Sequence, residues 1–150
     1  MIALTQINIM EDFIMDYKNL VKEALAAREM AYIPYSGFAV GAALLTKEGK
    51  IYRGCNIENV AFSPTNCAER TAFFKAISEG EKDFEAIAVN GDADDYLFPC
   101  GVCRQVMVEF CDRESFKVVV AKSENEYKEF TLAELMPGAF DAGELVKGQR

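Results

Sequence analysis

The chain has 150 residues, a formal net charge of −8 and no histidine. The missing imidazole excludes Ser-His and Cys-His nucleophile pairs and every histidine-ligated zinc site. The acidic balance, the lack of a basic run and the short apolar stretches exclude a polynucleotide partner and a membrane span, so we expect one cytoplasmic domain over residues 1–150.

Residues 11–31 read as an amphipathic helix. Phe13, Tyr17, Leu20, Val21, Ala24 and Ala27 recur at helical spacing, and Pro34 with the Tyr-Ser-Gly turn at 35–37 closes it. Residues 38–45 form a buried strand, and Lys47-Glu48-Gly49-Lys50 turns the chain into a second strand at 50–55. A helix follows at 66–79, where Asn66 and Glu69 fit a capping box. Residues 84–90 make a third strand, 100–111 a helix, 116–122 a fourth strand, 127–131 a short fifth and 132–136 a short helix. The alternation after the hairpin predicts an α/β fold with a mixed sheet of about five strands, the last ones parallel.

Five cysteines, an odd number, point to metal binding or catalysis before disulfides. Cys67 starts one predicted helix, and Cys100 and Cys103 start another. Free N–H groups at a helix start favour a thiolate. A Cys-x-x-Cys pair holds one metal, and Cys67 supplies a third sulfur if the two helices begin side by side. The fourth position is then open, as in catalytic sites. Glu69, two residues after Cys67, is a candidate proton shuttle, although a plain capping-box acid is the commoner explanation of that tetrapeptide alone. Three thiolates around a dication leave one net negative charge, so the helix N-termini and Arg70 or Arg104 are candidates to offset it. Cys55 and Cys111 have no partner spacing and read as structural.

Four blocks carry a resemblance. They are Pro-Tyr-Ser-Gly-Phe-Ala-Val-Gly-Ala-Ala-Leu (34–44), Gly-Cys-Asn-Ile-Glu-Asn (54–59), Cys-Ala-Glu-Arg-Thr-Ala (67–72) and Pro-Cys-Gly-Val-Cys-Arg-Gln (99–105). In this order, across about 34–140, they resemble the small free-nucleoside cytidine deaminases. The resemblance implies a three-layer α-β-α fold and one zinc per chain on Cys67, Cys100 and Cys103. It implies hydrolytic deamination of cytidine and deoxycytidine in pyrimidine salvage, with Glu69 as the proton shuttle for water attacking C4. By the same resemblance, Arg70 is expected to bond the ligand sulfurs. Phe38, Asn56, Glu58 and Ala68 bind substrate, Asn56 and Glu58 through a sugar hydroxyl. The family also implies a homotetramer with shared active sites, in which Phe140 packs over a neighbour's substrate. Phe62 and Val60 depart from the family's usual tyrosine and alanine. Two other readings remain: a deaminase of a cytosine-containing antibiotic of the blasticidin S type, and a non-catalytic structural zinc protein.

Overall fold

The computed structural model describes residues 16–92 and 94–147. Helix α1 runs Lys18–Arg28, and Tyr17, Leu20, Val21, Ala24 and Ala27 are buried as their spacing predicts. Residues 11–15, including Phe13, lie outside the described residues. The helix stops well before Pro34. The N–H groups of residues 29–31 close onto carbonyls three residues back, and the Tyr32 N–H goes to Asn56 O.

Strands β1 (Val40–Thr46) and β2 (Ile51–Cys55) form the expected antiparallel hairpin. Phe38 lies outside β1. The Asn56 side chain holds that entry instead, donating to Phe38 O at 2.8 Å and accepting the Val40 N–H at 2.9 Å. Then come α2 (Ala68–Ser78), β3 (Phe84–Gly91), α3 (Gly101–Phe110), β4 (Lys117–Ser123), β5 (Glu126–Thr131) and α4 (Leu132–Leu135). A last helix, α5 (Ala142–Lys147), has too short an apolar repeat to be foreseen.

The sheet order is β2-β1-β3-β4-β5. Strands β3 and β4 are parallel, with Ile87 opposite Val118 and Val89 opposite Val120, and α3 makes the crossover. The expectation of parallel final strands fails at β5. Only residues 124 and 125 separate it from β4, and so short a link permits only an antiparallel pair.

Alternation along the strands builds two cores. Ala43, Ala86, Ala88, Val119 and Ala121 face α1. Ala42, Leu44, Ile87, Val89, Val118 and Val120 face the other side, where Phe73 of α2, Met107 of α3 and Leu132 of α4 pack with Phe116. Phe73 meets Phe84 edge-on at 5.2 Å between ring centroids, a favoured aromatic geometry. Helices on both faces of the mixed sheet give the α-β-α layering.

Close packing sets where α2 begins. A Cβ on Gly54 would strike the Ala68 carbonyl and the Ala72 N–H, so the bare backbone lets the first turn of α2 rest directly on β2. That contact seats the helix start that carries Cys67 and Glu69.

Candidate active site

Two helix N-termini meet above this core. Cys67 caps α2 and Cys100 caps α3; both have extended backbone and neither side chain caps its own helix. The capping box expected from Asn66 and Glu69 is absent. Asn66 pairs through its backbone with Ile57 and donates its amide to Thr71 Oγ1 at 3.1 Å. The helix starts one residue later, and Glu69 turns inward.

The three thiols converge. Cys67 and Cys100 sulfurs are 3.9 Å apart, Cys100 and Cys103 sulfurs 3.5 Å, and all three lie within 4.8 Å of one another. Sulfurs about 2.3 Å from a shared tetrahedral ion stand about 3.8 Å apart, so this trio fits zinc. Among the described residues it is the cluster of metal-ligand type. Cys55, whose thiol meets Met30 O at 3.4 Å, and Cys111 lie outside it, as expected.

Charge agrees with the fit. Arg70 Nη2 donates to Cys67 Sγ at 3.3 Å. Burial works against the Arg70 charge, but hydrogen bonds to the Cys67 and Cys103 sulfurs outweigh it and hold the guanidinium firmly charged. Its Nε is buried without a hydrogen-bond partner among the described residues, a cost accepted to keep a cation beside the sulfurs. Arg104 plays another part: Nε donates to Pro99 O at 2.7 Å and Nη1 to Leu135 O at 2.6 Å, so it braces the backbone before Cys100. A hydrogen bond from Cys103, assisted by Arg70 against burial, draws the Cys67 thiol well below the usual range; the same bond and burial push Cys103 up.

Glu69 is 4% exposed, and its Oε2 lies 3.7 Å from Cys103 Sγ. Burial pushes its carboxyl up to about 7. A carboxyl near neutrality can both accept and give a proton, as a shuttle must.

A pocket of about 210 Å³ opens on the cluster. Phe38, Asn56, Cys67, Ala68, Glu69 and Cys100 line it, all foreseen in the sequence. Val40, Thr65, Asn66, Leu97 and Phe98 also line it and were not foreseen. Their signal was adjacency: Thr65-Asn66 precede Cys67, and Leu97-Phe98 precede Pro99-Cys100. A second hollow of about 390 Å³ shares Phe38, Asn56 and Thr65 and adds Ser36, Glu58 and Phe62. Cys103 lies buried beneath. Phe140 lines neither hollow: its carbonyl accepts from Gln105 Nε2 at 2.8 Å, while the residue is 60% exposed.

Residues 15–121 match the family model for the cytidine and deoxycytidylate deaminase zinc-binding region. The chain is 53% identical over 131 residues to a cytidine deaminase of Sporosarcina psychrophila, covering 87% of this chain and 96% of that relative. It is 42% identical to a probable cytidine deaminase of Dictyostelium discoideum over 87% of this chain and 88% of that protein. Among solved structures, cytidine deaminase from Burkholderia pseudomallei superimposes with a TM-score of 0.79 at 44% identity, covering 84% of this chain and all of that one. The Mycobacterium tuberculosis enzyme gives 0.71 at 37% identity over 83% and 97% of the two chains. The thiol trio, the fold that seats it and these likenesses agree, and the chain belongs to the cytidine and deoxycytidylate deaminase family.

Proposed function

We propose that this chain is a zinc-dependent cytidine deaminase of pyrimidine salvage, hydrolysing cytidine and deoxycytidine to uridine and deoxyuridine with release of ammonia. The observation that carries the reading is the convergence of Cys67, Cys100 and Cys103 beside the buried carboxyl of Glu69. The cysteine trio holds the zinc, and the ion supplies Lewis-acid activation of a water molecule when bound.

The chain's own groups do the rest. Glu69 takes a proton from the attacking water, delivers it to ring N3 and then assists departure of the C4 amino group as ammonia. Acid–base help of this kind is worth about 10²–10⁴-fold. Arg70 steadies the sulfurs by donating to Cys67. Phe38 and Ala68 wall the pocket around the base. Asn56 reaches the same pocket, and Glu58 lines the adjoining hollow where a sugar would extend. A neutral amide with a carboxylate accepts a sugar hydroxyl and repels a phosphate, so the substrate is a nucleoside rather than a nucleotide.

The active unit is a homotetramer with shared sites. Phe140, Val60 and Phe62 are exposed apolar side chains at 60%, 74% and 78%, available to a neighbouring copy. No helix among the described residues is long and apolar enough to cross a membrane.

The test is loss of ultraviolet absorbance as cytidine becomes uridine, with blasticidin S run in parallel. Turnover of cytidine supports the reading; turnover of the antibiotic alone contradicts it.

A further inference from the structure

Ser36 lies outside the metal cluster, yet three contacts join it to Glu58. Its hydroxyl donates to Glu58 Oε1 at 2.5 Å. Its backbone N–H lies 3.1 Å from Oε2 and 3.3 Å from Oε1. The same hydroxyl oxygen accepts the Phe38 N–H at 3.0 Å. A hydroxyl has one proton, so accepting from Phe38 leaves that proton free to point at the carboxylate.

Backbone geometry makes this possible. Gly37 sits at φ +67°, a conformation unfavourable to residues with a Cβ, and its N–H closes onto Ile33 O. The turn brings the N–H groups of residues 36 and 38 to Glu58 and to Ser36 Oγ respectively. Glu58 is half-buried, and a mobile glutamate would lose rotamer freedom on binding a ligand. Held by Ser36, it loses that freedom before the ligand arrives. Among the described residues Oε2 accepts the Ser36 N–H alone, so a lone pair remains for a hydroxyl donor.

We propose that Ser36 is a positioning residue for nucleoside recognition: it locks the Glu58 carboxylate to accept a sugar hydroxyl and ties it to the Phe38 backbone beside the base. The proposal rests on the reading of Glu58 as a sugar contact. It makes the Tyr-Ser-Gly-Phe turn one rigid unit that serves both halves of the substrate. Among the described residues, the hydrogen bonds of Ser36 go to Glu58 and to the Phe38 N–H of the turn, and Ser36 lies outside the thiol cluster.

The experiment compares Ser36→Ala, Glu58→Ala and the double variant, each on cytidine and on its 2′-deoxy and 3′-deoxy analogues. Ser36→Ala is expected to raise KM about tenfold, the weight of an ordinary hydrogen bond, with zinc content at the parent level. Its kcat stays within about twofold, because the lost interaction is made equally in ground and transition states. In the Glu58→Ala background the Ser36→Ala change adds nothing, and the penalty vanishes on the analogue that lacks the contacted hydroxyl. Ser36→Thr, which keeps the hydroxyl, restores most of the affinity. An unchanged KM for Glu58→Ala overturns the sugar-contact reading and the proposal with it. A raised KM there, with an undiminished Ser36→Ala penalty in the double variant, overturns the proposal alone.

Discussion

The two faces of the sheet are built for different work. Under α1, small side chains (Ala43, Ala86, Ala88 and Ala121 with Val119) let the helix sit close, and at its C-terminal end Arg28 donates to the buried Asn90 side chain of β3 at 2.7 Å. Under α2 and α3 the side chains are larger: Phe73, Phe116, Met107 and Leu132 fill a deep core. That core ends, at the helix starts, in a buried carboxylate, three thiols and a guanidinium nitrogen with no partner among the described residues. On this face the polar groups gather where metal and proton chemistry needs them, at two helix N-termini aimed at one point. The opposite face is a support, and its polar contact, Arg28 with the buried Asn90, ties helix to sheet. Substitutions under α2 and α3 should therefore separate activity from stability, whereas those under α1 should alter stability alone.

The sharpest break is Glu69→Gln. Turnover should fall by about 10²–10⁴-fold or more, while the melting temperature and zinc content hold. Assay, melting curve and metal analysis together check this; retained turnover would remove the shuttle role. Phe73→Ala comes next, with an expected loss of about 3–5 kcal/mol in urea unfolding, because the cavity would open amid Phe84 and Phe116. A loss near zero would mean the core collapses onto the gap. Arg70→Ala should weaken zinc retention or activity about 10–100-fold, measured by competition with a chelator. The smallest effect belongs to the supporting face. Ala88→Val, opposite α1, overpacks a tight contact and should cost about 1–3 kcal/mol, with zinc content and KM for cytidine unchanged. A changed KM there would mean the two faces are not separable.

Much of this was legible in the sequence because local signals agreed with the fold. The helix and strand order followed from periodicity, and the Cys67 and Cys100-Cys103 placements at helix starts predicted the convergence that the structure contains. The antiparallel β5 was missed because the short link at residues 124–125 was not weighed against the crossover a parallel pair needs. Glu69 stayed ambiguous because a capping acid and a buried shuttle share one local pattern. Only the packing of α2 on Gly54 and the approach of Cys103, 34 residues away, decide that it turns inward. Ser36 was invisible for the same reason: its partner Glu58 is 22 residues on, and the contact depends on the left-handed turn at Gly37. Phe140, expected over a neighbour's substrate, is exposed on its own chain, and its carbonyl accepts from Gln105, a contact 35 residues apart that only long-range structure reveals.

The central claim is an open metal site of three sulfurs in a chain with no imidazole to offer. Zinc-edge X-ray absorption on the purified protein tests it most directly. The account predicts three sulfurs at about 2.3 Å and one oxygen at about 2.0–2.2 Å. Four sulfurs would contradict it, since a fourth thiol from Cys55 or Cys111 would close the site and leave no place for water.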